Sequence, residues 1–62
     1  MSVHLLEYFK YRHLPEKLQK ISEPFSDLAH QMSATLPHGN SETEMALRKL
    51  LEAKDCAVRA SL

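Results

Sequence analysis

Leu36-Pro37-His38-Gly39-Asn40-Ser41-Glu42-Thr43-Glu44 is the stretch that decides how this chain folds. A proline followed closely by Gly-Asn interrupts any helix that reaches it. Ser41-Glu42-Thr43-Glu44 then matches a capping box, in which the serine hydroxyl meets the amide of Glu44 and the Glu44 side chain reaches back. The stretch therefore predicts two helices, over 15–35 and 41–61, joined by a turn over 36–40. So short a connection makes the helices antiparallel neighbours.

Upstream of the turn, Leu18, Ile21, Phe25, Leu28 and Met32 recur at spacings of three, four, three and four. That is one face of a helix and a heptad seam. Pro15 suits the first helical position, where a missing N–H costs nothing. Pro24 is the awkward residue, because inside a helix it removes a bond to the carbonyl of Lys20. Two readings follow: a kink, or a fresh start capped by Ser22. The seam keeps its phase through Pro24, which favours the kink.

Downstream of the turn, Ala46, Leu50, Ala53, Ala57 and Ala60 repeat at four, three, four and three, flanked by Leu47, Leu51 and Val58. Alanine lets helix axes approach closely and buries little area. A hairpin with so narrow a seam has a second apolar stripe to hide, which points to packing between chains.

Residues 1–14 form an arm, in which Val3, Leu6 and Phe9 share one face of a short helix. Tyr8, Phe9 and Tyr11 are three of the chain's four aromatics, and they stand beside Lys10, Arg12 and His13. The expected fold is thus all-α: a single domain over 1–62, an antiparallel helical hairpin with a short N-terminal helix or arm, packed into a homo-oligomer.

Composition narrows the function. A chain of 62 residues buries only about 60% of its unfolded surface and is marginal alone. Disulfides within the chain are excluded, because Cys56 is the only cysteine. His4, His13, His30 and His38 form no metal-ligand spacing, so no metal is expected. Partner subunits remain as the source of stability. Eight basic residues balance eight acidic ones, which argues against DNA as a partner. No apolar run approaches the ~20 residues that span a membrane. The N-terminus lacks the features of a signal peptide, so the expected location is the cytoplasm.

Catalytic residues are not expected. Cys56 lies between Asp55 and Ala57 with no cation adjacent in sequence, which reads as inert packing. The histidines have no acid partner at a telling spacing. Gly39 is the only glycine, so no phosphate loop exists and no cofactor is implied. On the last helix, Glu44–Arg48, Arg48–Glu52 and Asp55–Arg59 are i,i+4 pairs that suit a solvated, ion-paired face. The arm is different. Aromatics interleaved with cations suit base stacking and phosphate pairing. Phe9 reads as core; Tyr11 and Arg12, with Lys10 and Tyr8, read as ligand contacts. Arg48, Lys49 and Arg59 form a second cationic candidate.

Two stretches carry a family resemblance. Tyr11-Arg12-His13-Leu14-Pro15 is an aromatic-Arg-x-Leu lead into the first long helix. Ala46-Leu47-Arg48-Lys49-Leu50-Leu51-Glu52-Ala53-Lys54-Asp55-Cys56-Ala57-Val58-Arg59-Ala60 is the second. Together they resemble the small phage helical-hairpin proteins that sequester cyclic oligonucleotides and so counter CBASS, a bacterial immunity that signals with such nucleotides. The resemblance implies a compact homo-oligomer, typically a hexamer, in an infected bacterial host. It implies cyclic dinucleotides held between protomers with Tyr11 stacking on a base and Arg12 beside it, Arg59 as a further site residue, and other sites for cyclic trinucleotides. The family also uses a lysine within its first long helix. Here that region reads Ser22-Glu23-Pro24-Phe25-Ser26, and Lys17 and Lys20 are the nearby candidates. The expected function is sequestration of cyclic di- or trinucleotides without cleavage. The alternative is an oligomeric protein-interaction hairpin or inhibitor with no nucleotide ligand.

Overall fold

The computed structural model describes residues 5–62. Their regular structure is helical throughout. A 3-10 turn covers Glu7–Phe9, helix α1 covers Glu16–Thr35 and helix α2 covers Ser41–Ala60. The two long helices pack side by side as a hairpin, and the 3-10 turn lies against α1. Val3, expected on the apolar face of the arm, lies outside the described residues. Among the described residues, no helix is long and apolar enough to cross a membrane.

α1 starts one residue later than the proline suggests. Pro15 holds the N-cap place with ψ 150°, and its carbonyl accepts the amides of Leu18 and Gln19 at 2.9 and 3.0 Å. The helix runs as one element across Pro24. Ser22 caps nothing, since its buried hydroxyl has no hydrogen-bond partner among the described residues, so the fresh start is ruled out. Pro24 itself is exposed. α1 ends where Pro37 forces Leu36 into extended backbone (ψ 150°). The His38 ring reaches back to within 2.9 Å of the Ser33 carbonyl oxygen, satisfying one of the carbonyls that a helix C-terminus leaves open. Gly39 takes a positive φ of 74°, a conformation that glycine adopts without strain.

The cap of α2 corrects the sequence reading. Asn40, not Ser41, is the N-cap: its side-chain oxygen accepts the amides of Glu42 and Thr43 at 2.9 and 3.2 Å. Asparagine is as good a cap as serine. Once Asn40 takes that place, Ser41 becomes the first helical residue and is exposed.

The hairpin core also lies on different faces from those expected. On α1 the buried residues are Ser22, Ser26, Ala29 and Ser33, one position on from the apolar seam. Phe25 and Met32 pack at the edge of the core, and Leu28 is exposed. On α2 the buried residues are Thr43 and Leu47. Ala53 and Ala60 are exposed, and Ala46 and Ala57 are half-buried. The small residues that allow close approach are therefore the serines and alanine of α1, and the large residue they admit is Leu47 of α2. Among the described residues, Phe9, Ala29 and Leu47 are the fully buried apolar ones, with Leu5, Leu6, Phe25, Met32, Leu50 and Leu51 around them. A core of this size matches the marginal burial expected of so short a chain.

Candidate functional site

The arm reaches the hairpin as a series of short constraints. Phe9 anchors it by burial. Lys54, on the α2 face that carries Leu47 and Leu50, donates from Nζ to the Tyr8 carbonyl at 2.7 Å and lies 6.0 Å from the centre of the Phe9 ring. Its side chain is only 12% exposed, so the aliphatic stem is packed while the ammonium is shared between the arm and Asp55. Beyond Phe9 the chain makes a turn in which the Leu14 amide donates to the Tyr11 carbonyl at 3.0 Å. Gln19, in the first turn of α1, donates from Nε2 to the carbonyls of Leu14 and Arg12 at 2.7 and 3.3 Å. Residues 10–14 are thus held over the start of α1.

That placement creates an open groove of about 820 Å³ between arm and helix, a size common among small-molecule sites. The arm wall is Leu6, Glu7, Lys10, Tyr11, Arg12 and His13; the α1 wall is Ser26, Asp27 and His30. Lys10 pairs with Glu7 at 2.9 Å, both side chains exposed. The Tyr11 hydroxyl donates to a Glu23 carboxylate oxygen at 3.4 Å, which limits ring rotation. The Arg12 guanidinium lies 5.6 Å from the centre of the Tyr11 ring, a cation–π distance. Among the described residues, two cations and two carboxylates line the groove, a mixed polar set.

The structure brings together Lys10, Tyr11 and Arg12 in this groove. It does not bring the other sequence-derived candidates there. Tyr8 is 62% exposed and its ring is outside the lining. Arg48, Lys49 and Arg59 lie along α2, and Lys17 and Lys20 are exposed on α1, none of them in the groove. The ion pairs formed on α2 also differ from the i,i+4 set: they are Lys49–Glu52 at 3.8 Å and Lys54–Asp55 at 3.4 Å. Cys56, without a cation beside it in sequence, has one in space, since Arg59 Nη2 donates to its Sγ at 3.3 Å. Helical spacing of three residues explains that contact.

Four residues of the site's framework escaped the sequence reading. Gln19 and Lys54 hold the arm; Asp27 and His30 form the α1 wall. Lys54 follows Thr43, Leu47 and Leu50 on one helix face, and a lysine in phase with a core face is a readable signal. Asp27 and His30 are one turn apart on α1, but nothing in sequence says that the arm folds over them. Among the described residues, no group of three or more His, Cys, Asp or Glu side chains is arranged to hold a metal. Compared with known protein families, curated proteins and solved structures, the chain matches none, so the groove itself carries the functional argument.

Proposed function

We propose that this chain is a phage-encoded sponge that binds cyclic oligonucleotides and stores them uncleaved in an infected bacterium. The observation that carries the reading is the convergence of Lys10, Tyr11 and Arg12 on one groove of about 820 Å³. A cyclic oligonucleotide presents flat bases and at least two phosphate charges, and it needs π-faces and cations within one site. Arg12 covers one face of Tyr11; a base stacks on the other. Among the described residues, Lys10 forms an exposed ion pair with Glu7, and such pairs contribute ~0–1 kcal/mol, so a phosphate recruits Lys10 at low cost. A second protomer completes the site in a homo-oligomer, a hexamer by the family resemblance. The half-buried and exposed alanines of α2 supply a surface for that packing.

The test is calorimetric titration of the chain with a panel of cyclic di- and trinucleotides. Tyr11→Ala should weaken binding by about tenfold or more, because stacking contributes ~1–3 kcal/mol per base. Arg12→Ala should weaken it most at low salt. Full affinity in a folded Tyr11→Ala, Arg12→Ala double variant refutes the site. Recovery of intact nucleotide after denaturation distinguishes storage from turnover. The second reading, a protein-interaction hairpin without a nucleotide, is favoured by Leu28 and Met45, which are 45% and 48% exposed. It predicts a silent titration against the whole panel.

A further inference from the structure

The groove has two chemically unlike walls. The arm contributes the cations Lys10 and Arg12, with Glu7 paired to Lys10 beside them. α1 contributes Asp27 and His30, at i and i+3 on one side of the helix. His30 Nδ1 lies 2.8 Å from the Ser26 carbonyl oxygen. A carbonyl only accepts, so Nδ1 carries a proton, and in the singly protonated tautomer Nε2 is the acceptor. The Asp27 carboxylate is exposed and makes no ion pair or hydrogen bond among the described residues. The α1 wall therefore offers acceptors, and what binds against it must offer donors.

Guanine is the base whose Watson–Crick edge places two donors side by side, the N1–H and the N2 amino group. Their spacing matches the two oxygens of one carboxylate. Adenine places an unprotonated N1 beside its N6 amino group, so docking in the same pose turns a lone pair toward the Asp27 charge. Guanine's O6 and N7 are acceptors, and they suit the cations of the opposite wall. We propose that Asp27, supported by His30, selects guanine, making the ligand of the groove a guanine-bearing cyclic oligonucleotide. The assignment rests on the nucleotide-storage reading and names the base it stores.

The experiment titrates the full chain with cyclic di-GMP, cyclic di-AMP and cyclic tri-AMP, and repeats all three with Asp27→Asn. Asp27 is exposed and bonds nothing within the described fold, so the variant should keep its helicity, checked by circular dichroism. The wild-type chain should prefer cyclic di-GMP over both adenine ligands by about tenfold or more, the discrimination of one good bidentate contact. Asp27→Asn replaces one acceptor with a donor, so it should weaken cyclic di-GMP by a similar factor and strengthen cyclic di-AMP. Equal affinities, an adenine preference, or an unchanged guanine preference in Asp27→Asn would each overturn guanine selection while leaving storage standing. No binding of any of the three ligands overturns both.

Discussion

Replacing Lys54 by methionine tests whether one half-buried lysine holds the arm against the hairpin. Methionine keeps an unbranched stem of similar length, so packing along α2 is largely preserved and the charge is what changes. Three interactions are lost. The Nζ bond to the Tyr8 carbonyl, at 2.7 Å, is charge-assisted, and such bonds contribute ~1.5–3 kcal/mol. The approach to the Phe9 ring, at 6.0 Å, is at the outer limit of cation–π range and adds at most ~0.5–1 kcal/mol. The pair with Asp55 joins neighbouring residues on a half-exposed partner at 3.4 Å and contributes ~0–1 kcal/mol. Desolvating the ammonium offsets part of this sum, which leaves a net loss of about 2 kcal/mol, near the lower part of the hydrogen-bond range. In a domain of this size each 1 kcal/mol moves the melting temperature by about 4–8 °C. Lys54→Met should therefore lower it by about 10 °C. Hydrogen exchange should locate the damage: amides of residues 7–14 should lose protection before those in the middle of α2. Since the arm carries Lys10, Tyr11 and Arg12, any ligand affinity of the groove should fall too, although Lys54 lies outside it. An unchanged melting temperature together with an equally protected arm would refute the reasoning.

Three other outcomes follow from the same structure. Asn40→Ala should cost ~1 kcal/mol through loss of the α2 cap, whereas Ser41→Ala should move the melting temperature little; the opposite order would place the cap on the serine after all. Ser22→Ala should stabilise the protein by ~1 kcal/mol, because it removes a fully buried hydroxyl without a partner among the described residues and substitutes a better helix former; a fall in melting temperature would show that the hydroxyl is satisfied. Ala53 is exposed in the single chain, so Ala53→Glu should be harmless to a monomer and should dissociate a homo-oligomer that uses the alanine stripe. Light scattering reads this directly, and an oligomer of unchanged size in the Ala53→Glu variant excludes that stripe from the interface.

The sequence by itself determined the helical class and the place where the helices separate. Pro37, Gly39 and Asn40 act through their own backbone restrictions, and these operate whatever the rest of the chain does. It also concentrated aromatics and cations in residues 8–13, which is why Lys10, Tyr11 and Arg12 were legible as a group. The tertiary structure alone decided which helix faces meet. Periodicity reports large apolar residues, but close packing of two helices depends on where the small ones are. Ser22, Ser26, Ala29 and Ser33 therefore took the interface that Leu18, Ile21 and Leu28 had suggested. Tertiary contacts likewise moved the cap by one residue, since Ser41 and Asn40 are both able caps and only the final backbone chooses between them. They also supplied the second wall of the groove. Asp27 and His30 are ordinary polar residues on a helix surface until Lys54 and Gln19 bring the arm across them, and contacts between residues so far apart in the chain leave no periodic trace in sequence.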